Sequence, residues 1–274
     1  MRSKTKSNYQ KLSDEIWDKR FNSPFIIRKY LHRTQYYSIV DNIEKMDPKP
    51  RTILDYGCGQ GVLSVILAEK GYDVTGLDIS KPNIEFARHK ACQKNLKINF
   101  IIGDAENLPF EDHSFDIVVA SHVLEHLPNM KRGLDEIKRV SNRALIAVPT
   151  CMNLCSLVLL GGDSPWLVSF KTPYALPIGM IKFVLNARNE GIPEDYAGIK
   201  ELDHPWYYPW KFKKILENND FRIVKIEAGS LIFPYISYIF PKTIGIFMFF
   251  DKFREKKILC YLGYGTNYYV EVEK

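Results

Sequence analysis

The feature that most constrains the fold is an alternation of short apolar runs with helical patterns between residues 51 and 149. Such an alternation is typical of repeated βαβ units, which build a parallel sheet covered by helices on both faces. Strands of that kind are buried on both sides and are therefore short and rich in Val and Ile. The predicted strands are Thr52–Tyr56, Asp73–Asp78, Ile98–Ile102, Phe115–Ala120 and Ala144–Val148.

The remainder of the chain falls into segments around this core of residues 51–150. Residues 1–50 are mainly helical in pattern and form an N-terminal cap segment. Residues 151–209, which are rich in Pro and Trp, interrupt the alternation of strand and helix patterns and are predicted to be an insertion that caps the substrate. Residues 210–274 complete the sheet, through a helix over Lys211–Asn218 and strands over Phe221–Ile226 and Asn267–Val272. The predicted fold class is therefore α/β, with a seven-stranded and mostly parallel sheet.

The apolar and aromatic stretch over residues 231–250 is long enough to raise the question of a transmembrane helix. Pro234, Pro241 and Gly245 interrupt it too often for one clean span. We therefore expect the wider segment 231–262 to cover an apolar substrate, to form a dimer surface or to lie at a membrane interface.

Composition and charge set further limits. The chain has 274 residues, of which 46% are hydrophobic, and this suits one large globular domain with an insertion. A net charge of +6 permits attraction to phosphate or anionic lipid, but most basic residues are interleaved with acids, so nucleic acid is not an expected partner. The five cysteines show no framework spacing and the N-terminal residues have no apolar signal segment, so a cytoplasmic protein with reduced thiols is expected. No metal site is predicted.

A glycine-rich turn, ILDYGCGQGVLS over residues 53–64, joins the first strand to the next helix. A turn of this kind lets the backbone approach a ligand, and the free N–H groups of the helix N-terminus face it. A dinucleotide-binding fingerprint requires glycines at the first, third and sixth positions, which here would be Gly57, Gly59 and residue 62. Residue 62 is Val, and the third glycine is Gly61 instead.

Acidic residues accompany the glycines at the ends of the first three strands. Asp78 ends the second strand, where an acid meets the ribose hydroxyls of a bound nucleoside. Asp104 follows the third strand, where a carboxylate can accept a hydrogen bond from the exocyclic amine of a base such as adenine. Together with Asp55, these acids are predicted to converge on one rim of the sheet.

These motifs closely resemble those of the class I S-adenosylmethionine-dependent methyltransferases. The match runs in order through ILDYGCGQG, VTGLDIS, IIGDAENLPF, FDIVVASHVLEHLPN and ALIAVPT, and covers about 100 residues. The sequence of the fourth segment is similar to the corresponding sequences in the small-molecule branch of the family, which includes the quinone-biosynthesis enzymes. The resemblance implies a Rossmann-like fold, an S-adenosyl-L-methionine cofactor that leaves as S-adenosyl-L-homocysteine, and a core at residues 51–150 that binds it.

The resemblance also implies roles for single residues. The methionine part of the cofactor would lie against the glycine loop, the ribose would bind Asp78, and the adenine would pack on Ile79 and be read at its edge by Asp104 and the Ala105 backbone. Ser121 or His122 would line the methionine end. The loop residues concerned are Asp55, Gly57, Cys58, Gly59 and Gly61.

Methyl transfer from a sulfonium to a hydroxyl is helped by a general base. His122 follows the fourth strand in SHVLEH and is one candidate; a packing role for this segment is equally compatible with the sequence. His204, beside the aromatic cluster of the insertion, is the other candidate, with a solvent-exposed loop histidine as the alternative. For His126 the packing role is favoured.

The segments outside the core are aromatic and rich in proline rather than basic. They favour an apolar or ring-shaped small molecule as acceptor, such as a lipid, a quinone-like isoprenoid or a sugar on a lipid carrier. A peripheral membrane contact would follow, with Lys252 to Lys257 near the headgroups. The chain is expected to act as a monomer or homodimer. The alternatives are a methyltransferase acting on RNA, for which Cys151 would be a candidate nucleophile, and a non-catalytic S-adenosylmethionine-binding protein.

Overall fold

The computed structural model describes residues 16–24, 26–163, 169–193, 195–196, 199–203, 205–231, 244–256 and 258–273. A seven-stranded sheet dominates the structure. Its strands are β1 (Thr52–Tyr56), β2 (Asp73–Asp78), β3 (Asn99–Ile102), β4 (Ile117–Ser121), β5 (Arg143–Val148), β10 (Phe221–Ala228) and β11 (Thr266–Val272). They lie in the order β10-β11-β5-β4-β1-β2-β3. All pairings from β3 to β5 are parallel, whereas β11 is antiparallel to both of its neighbours.

Helices connect and cover these strands. They are α1 (Ile16–Phe21), α2 (Ile26–Glu44), α3 (Val62–Glu69), α4 (Lys81–Gln93), α5 (Met130–Val140), α6 (Leu154–Leu160), α7 (Thr172–Leu185), α8 (Pro209–Glu217) and α9 (Ile244–Asp251). A short 3₁₀ turn spans Leu124–His126. Local sequence explains the helix starts: Ser80 caps α4 by accepting a hydrogen bond from the Asn83 amide, and Asn129 caps α5 in the same way.

The core has two main parts, one on each face of the sheet. On one face, α5 buries Leu134, Ile137 and Val140 against Val118 and Ile146. On the other face, α2 and α3 pack against β1, β4 and β5 through a second set of aliphatic side chains, which includes Ile39, Ile43, Leu63, Ile66, Ile53 and Leu145. The fold class predicted from the sequence, with its helical N-terminal segment, is confirmed.

The insertion after β5 is built around α6 and α7 with four short strands, β6 (Gly191–Ile192), β7 (Asp195–Tyr196), β8 (Ile199–Asp203) and β9 (Trp206–Tyr207). It is tied to the end of β5, because the Tyr207 amide donates to the Pro149 carbonyl and the Cys151 amide donates to the Tyr207 carbonyl, both at 3.0 Å. Within the described residues, no helix has the length and apolar character that crossing a membrane requires.

Helix α2 is also fastened to the far edge of the sheet by a buried cluster of polar groups. Glu227 of β10 is fully buried; it pairs with Arg254 at 2.8 Å and with Lys225 at 3.0 Å. Its carboxylate also accepts a hydrogen bond from the Asn42 side chain of α2 at 2.9 Å. The N-terminal segment is thus held to the sheet by charge-assisted bonds as well as by apolar packing.

The fourth strand starts later than the sequence predicted. The sequence predicted that it begins at Phe115, but the amides of His113 and Phe115 bond to the carbonyls of Arg139 and Val140 at the end of α5. The Phe115 amide is thus satisfied outside the sheet, the Asp116 amide bonds to the Thr52 carbonyl of β1, and the strand begins at Ile117.

Candidate active site

The glycine turn lies between the carboxyl end of β1 and the start of α3. Gly57, Gly59 and Gly61 all have positive φ angles, of 71°, 51° and 69°. A Cβ atom on Gly57 would lie 2.4 Å from Cγ2 of Val123, and one on Gly61 would lie 2.8 Å from the Cβ of Ala87. Both the left-handed backbone and the close approach of neighbouring side chains therefore require glycine at these positions.

Asp78 at the end of β2 closes this turn. Its Oδ2 atom accepts a hydrogen bond from the Gly59 amide at 2.9 Å, and its Oδ1 atom accepts one from the Ser80 amide at 2.8 Å. Burial raises the pKa of Asp78, and these backbone bonds act in the opposite direction. The carboxylate thus holds the glycine turn of the first strand to the first turn of α4.

Asp55 lies deeper than the sequence suggested. It is the fourth residue of β1, is almost fully buried, and accepts a hydrogen bond from the Ser64 hydroxyl of α3. Burial raises its pKa to about 7, and the nearby Asp78 carboxylate adds to the rise. Asp55 is therefore a buried support behind the glycine turn rather than an acid open on the rim.

The loop after β3 is held by the loop that precedes α5. The Asp104 carboxylate accepts a hydrogen bond from the Glu106 amide at 3.0 Å, and the Ala105 carbonyl accepts one from the Tyr56 hydroxyl at 2.6 Å. The Glu106 carboxylate accepts one from the Asn129 amide at 2.7 Å. These bonds hold Asp104 and Ala105 at the same end of the sheet as the glycine turn.

His122 lies just beyond β4, and contacts on both ring nitrogens fix its position. Its Nδ1 atom is 3.2 Å from Oε1 of Glu125, whose side chain is fully buried. Its Nε2 atom is in hydrogen-bond contact with the side-chain amide nitrogen of Gln35, a residue of α2. The residue has a φ of 56°, which is unusual for a side chain of this size, and its amide bonds to the Ala147 carbonyl.

Helix α1 lies over the glycine turn. The Asp18 amide donates to the Gln60 side chain at 3.0 Å, and the Asp18 carboxylate pairs with Lys90 of α4. The side chain of Arg33 on α2 donates to the Phe21 carbonyl at 3.2 Å. Helices α1 and α2 together therefore cover the carboxyl ends of β1 and β4.

The remaining candidate residues from the sequence analysis do not all lie at the rim. Ser121 ends β4 and Ile79 follows β2, both partly exposed on the same rim. His126 ends the 3₁₀ turn, with its Nε2 atom 4.0 Å from Oε1 of Glu125, and His204 lies outside the described residues. Cys151 is buried, which raises the pKa of its thiol to about 12, so it is not an activated nucleophile.

The sequence analysis missed Gln35, Gln60 and Glu125. Gln35 and Gln60 make their contacts to residues distant in sequence, at positions 122 and 18, and no local motif marks such partners. Glu125 could have been found, because it lies three residues after His122, the spacing at which side chains meet across a helical turn.

In outline, the parallel sheet with a reversed last strand, and the glycine turn beside two strand-end acids, define a nucleoside-binding α/β domain.

Comparison with known proteins narrows this class. The methyltransferase domain family matches residues 54–144. The ubiquinone biosynthesis O-methyltransferase of Rickettsia prowazekii is 33% identical over 159 residues, which cover 56% of this chain and 61% of the relative. The ajmaline N-methyltransferase of Rauvolfia serpentina is 32% identical over 121 residues, covering 40% and 41%.

Solved structures share the fold over nearly the whole chain. The magnesium protoporphyrin IX methyltransferase of Synechocystis, with bound S-adenosylhomocysteine, has a TM-score of 0.60 and 16% identity, and covers 98% of this chain and 100% of that one. The didemethyltoxoflavin N1-methyltransferase of Burkholderia thailandensis has a TM-score of 0.56 and 12% identity, with coverage of 100% and 87%. At such identities the likeness establishes the fold. Residues 54–144 are thus similar to a methyltransferase domain, and the alignment spans 61% of the length of the Rickettsia relative.

The raised pKa of Asp55 gives a testable dependence of stability on pH. A rise from the ordinary value of 3.8 to about 7 corresponds to roughly 4 kcal/mol. Because the folded state holds the proton more tightly than the unfolded state, the stabilisation is complete below the unfolded pKa and is lost as the pH rises through about 7. Urea unfolding should show wild type losing up to roughly 4 kcal/mol relative to Asp55→Asn between about pH 4 and about pH 8. A difference that stays constant across this range would contradict a buried, protonated Asp55.

Proposed function

We propose that this protein binds S-adenosyl-L-methionine at the glycine turn and transfers its methyl group to a small-molecule acceptor. The observation that carries the proposal is the bonding of Asp78 to the amides of Gly59 and Ser80 at the carboxyl ends of β1 and β2. The carboxylate, which also takes a hydrogen bond from the Asn83 side chain, keeps acceptor capacity for a ribose hydroxyl of a nucleoside. The matched methyltransferase domain contains both of these strand ends.

The proposed cofactor contacts follow the rim of the sheet. The methionine part lies against Gly57, Cys58, Gly59 and Gly61, with Asp55 as the buried support of the turn. The ribose binds Asp78. The adenine packs on Ile79 and meets Asp104 and the Ala105 backbone, while Ser121 closes the methionine end.

The bound sulfonium supplies an already activated methyl group, so the protein's task is to align the acceptor and to exclude water. Helix α1 covers the glycine turn through the bond from the Asp18 amide to Gln60. Residues 1–50 and the insertion at 151–209 act in this proposal as caps, the latter on the acceptor side. Residues 210–274 complete the sheet, and the segment 231–262, of which residues 232–243 and 257 lie outside the described residues, stays the proposed cover for the apolar side of the acceptor.

His122 is the proposed general base for a hydroxyl acceptor. With the proton on Nδ1, which lies 3.2 Å from Oε1 of Glu125, Nε2 keeps a lone pair; this lone pair faces the Gln35 side-chain amide, which an acceptor hydroxyl would have to displace. A buried carboxylate behind a histidine fixes its tautomer and stabilises the cation formed when the histidine takes a proton. His204, which lies outside the described residues, stays the second candidate.

The role of His122 predicts a selective loss of turnover. With tritiated S-adenosylmethionine and catechol as the acceptor, His122→Gln should lower kcat by roughly 100-fold or more, because that is the usual contribution of a general base. Its affinity for S-adenosylhomocysteine should change little. His126→Gln is the control and should keep its activity. Equal losses in the two variants would refute the assignment.

The role of Asp78 predicts a loss of cofactor affinity. Calorimetric titration with S-adenosylhomocysteine should show binding to Asp78→Ala weakened at least tenfold, since the variant loses its charge-assisted bonding to the ribose and the contact that orders the turn. Asp73, exposed at the start of the same strand, supplies the matched control Asp73→Ala. Unchanged affinity in Asp78→Ala would mean that the ribose is bound elsewhere.

Neither alternative function is favoured by a particular contact. An RNA cytosine mechanism needs a reactive cysteine, and Cys151 is buried with a raised thiol pKa. A binding protein without transfer activity would not need the His122–Glu125 pair beside the cofactor rim.

We further propose a lipid-like acceptor reached at a membrane surface from the cytoplasm by a monomer or homodimer. Helix α7 supports this proposal, because its outward side is apolar: Phe170 just before it is 84% exposed, Val184 is 66% exposed and Leu185 is 77% exposed. Residues 169–189 include Lys171, Lys182 and Arg188 but no acidic residue. An apolar face bordered by cations suits the interface of an anionic bilayer.

Vesicle flotation tests this contact. The protein should float with vesicles that contain phosphatidylglycerol and bind less to vesicles of phosphatidylcholine alone. The double variant Ile181→Asp/Val184→Asp, which changes exposed positions only, should lose most of this binding, whereas Val224→Asp on the exposed side of β10 should not. Self-association through α7, seen as a concentration-dependent dimer that the double variant abolishes, would instead identify a second copy of the chain as the partner.

A further inference from the structure

The chain returns from β3 to β4 without a helix. Strand β3 ends at Ile102, and β4 begins at Ile117 on the far side of β1 and β2. Parallel strands need such a crossover to bring the chain back across the sheet, and a helix usually provides it. Residues 103–116, the crossover loop, do so as turns and irregular backbone. The amides and carbonyls of this loop therefore depend on partners from other elements for many of their hydrogen bonds.

Two side chains of α5, Glu136 and Arg139, bind the middle of the crossover loop. The Arg139 guanidinium donates to the Phe110 carbonyl at 2.7 Å, to the Leu108 carbonyl at 3.1 Å and to the Asp112 carboxylate at 2.9 Å. The Glu136 carboxylate accepts a hydrogen bond from the Leu108 amide at 2.7 Å. Glu136 and Arg139 also bond to each other twice, at 2.8 and 2.9 Å. Charged groups of one helix thus satisfy both backbone groups of Leu108.

The Glu136–Arg139 pair has the features of a strong ion pair. Its two hydrogen bonds are paired, and the side chains of Glu136 and Arg139 are only 18% and 30% exposed. The bonds from Arg139 lower the pKa of Glu136, so the carboxylate stays charged at neutral pH. Paired geometry and partial burial are the conditions under which such an ion pair contributes measurably. The pair therefore fastens the crossover loop to α5.

The fastened part of the loop adjoins the proposed adenine contacts, Asp104 and Ala105. Leu108 and Ala105 are both buried in the apolar cluster that α5 forms with the sheet. Between them, the Glu106 carboxylate accepts a hydrogen bond from the amide of Asn129, the residue that caps α5. Helix α5 therefore holds the loop from its N-terminus, through Asn129, and from its second half, through the Glu136–Arg139 pair.

We propose that Glu136 and Arg139 are positioning residues that set the preference of the site for adenine over other bases. They act through the crossover loop, which carries Asp104 and the Ala105 backbone. The proposal rests on the proposed binding of S-adenosyl-L-methionine. Adenine offers a donor amine and an acceptor nitrogen at the edge that these groups would read, whereas hypoxanthine offers an acceptor carbonyl and a donor N–H. A loop held within a few tenths of an ångström can reject the reversed pattern, and a loosened loop can adapt to it.

The experiment compares S-adenosylhomocysteine with S-inosylhomocysteine, in which hypoxanthine replaces adenine, by calorimetric titration. The wild-type protein should bind S-adenosylhomocysteine at least tenfold more tightly, because a site that hydrogen-bonds a base rejects an analogue with the wrong groups. Arg139→Gln should remove most of this preference. Arg139→Lys and Glu136→Gln should each keep part of it, since lysine retains the charge without the paired donors and glutamine retains an acceptor without the charge. Lys138→Gln is the matched control on the same helix, because Lys138 pairs with Asp135 and Asp220.

The ratio of the two affinities separates positioning from a merely structural role. A structural loss would weaken both ligands by the same factor, so an unchanged ratio in Arg139→Gln refutes the proposal. Equal losses of preference in Arg139→Gln and Lys138→Gln, or a wild-type protein that binds both ligands alike, refute it too. If the wild-type protein binds neither ligand, the proposed function itself fails, and this proposal with it. Thermal unfolding verifies that each variant is folded; if Arg139→Gln is not, the ratios of Arg139→Lys and Glu136→Gln decide.

Discussion

The bonding of one carboxylate to two backbone amides organises the site. Asp78 accepts hydrogen bonds from Gly59 in the glycine turn and from Ser80 at the start of α4, so that two loops from neighbouring strands keep a fixed distance. The turn can take its left-handed shape only because Gly57 and Gly61 leave no Cβ to collide with Val123 and Ala87. The backbone of the glycine turn and the Asp78 side chain thus border the same space, and both determine its shape.

The N-terminal helices α1 and α2 cover this rim from the side opposite the sheet. Helix α2 is anchored near one end by the buried bond from Asn42 to Glu227, and at its middle Gln35 contacts the His122 ring. A helix held in this way can keep a polar contact in place over a site without being part of the sheet. The glycine turn with Asp78 therefore forms one side of the rim, and the contact between Gln35 and His122 holds the N-terminal helices on the other.

Much of the sheet could be predicted, because each of its parallel strands is a short apolar run followed by a turn with a physical signature. The bounds of β1 and β2 were predicted correctly, and so were the Ser80 cap and the amphipathic side of α5. The start of β4 was wrong because a strand-like pattern does not show that its amides are already bonded to α5. The contact between Gln35 and His122 links residues 87 apart, and no periodicity encodes such a pairing.

The central claim is that the rim of this sheet is shaped for S-adenosylmethionine rather than for a dinucleotide. Calorimetric titration of the purified protein with S-adenosylhomocysteine and, separately, with NAD tests it most directly. We expect a single saturable site for S-adenosylhomocysteine and no measurable heat of binding with NAD. Saturable binding of NAD without binding of S-adenosylhomocysteine would contradict this expectation.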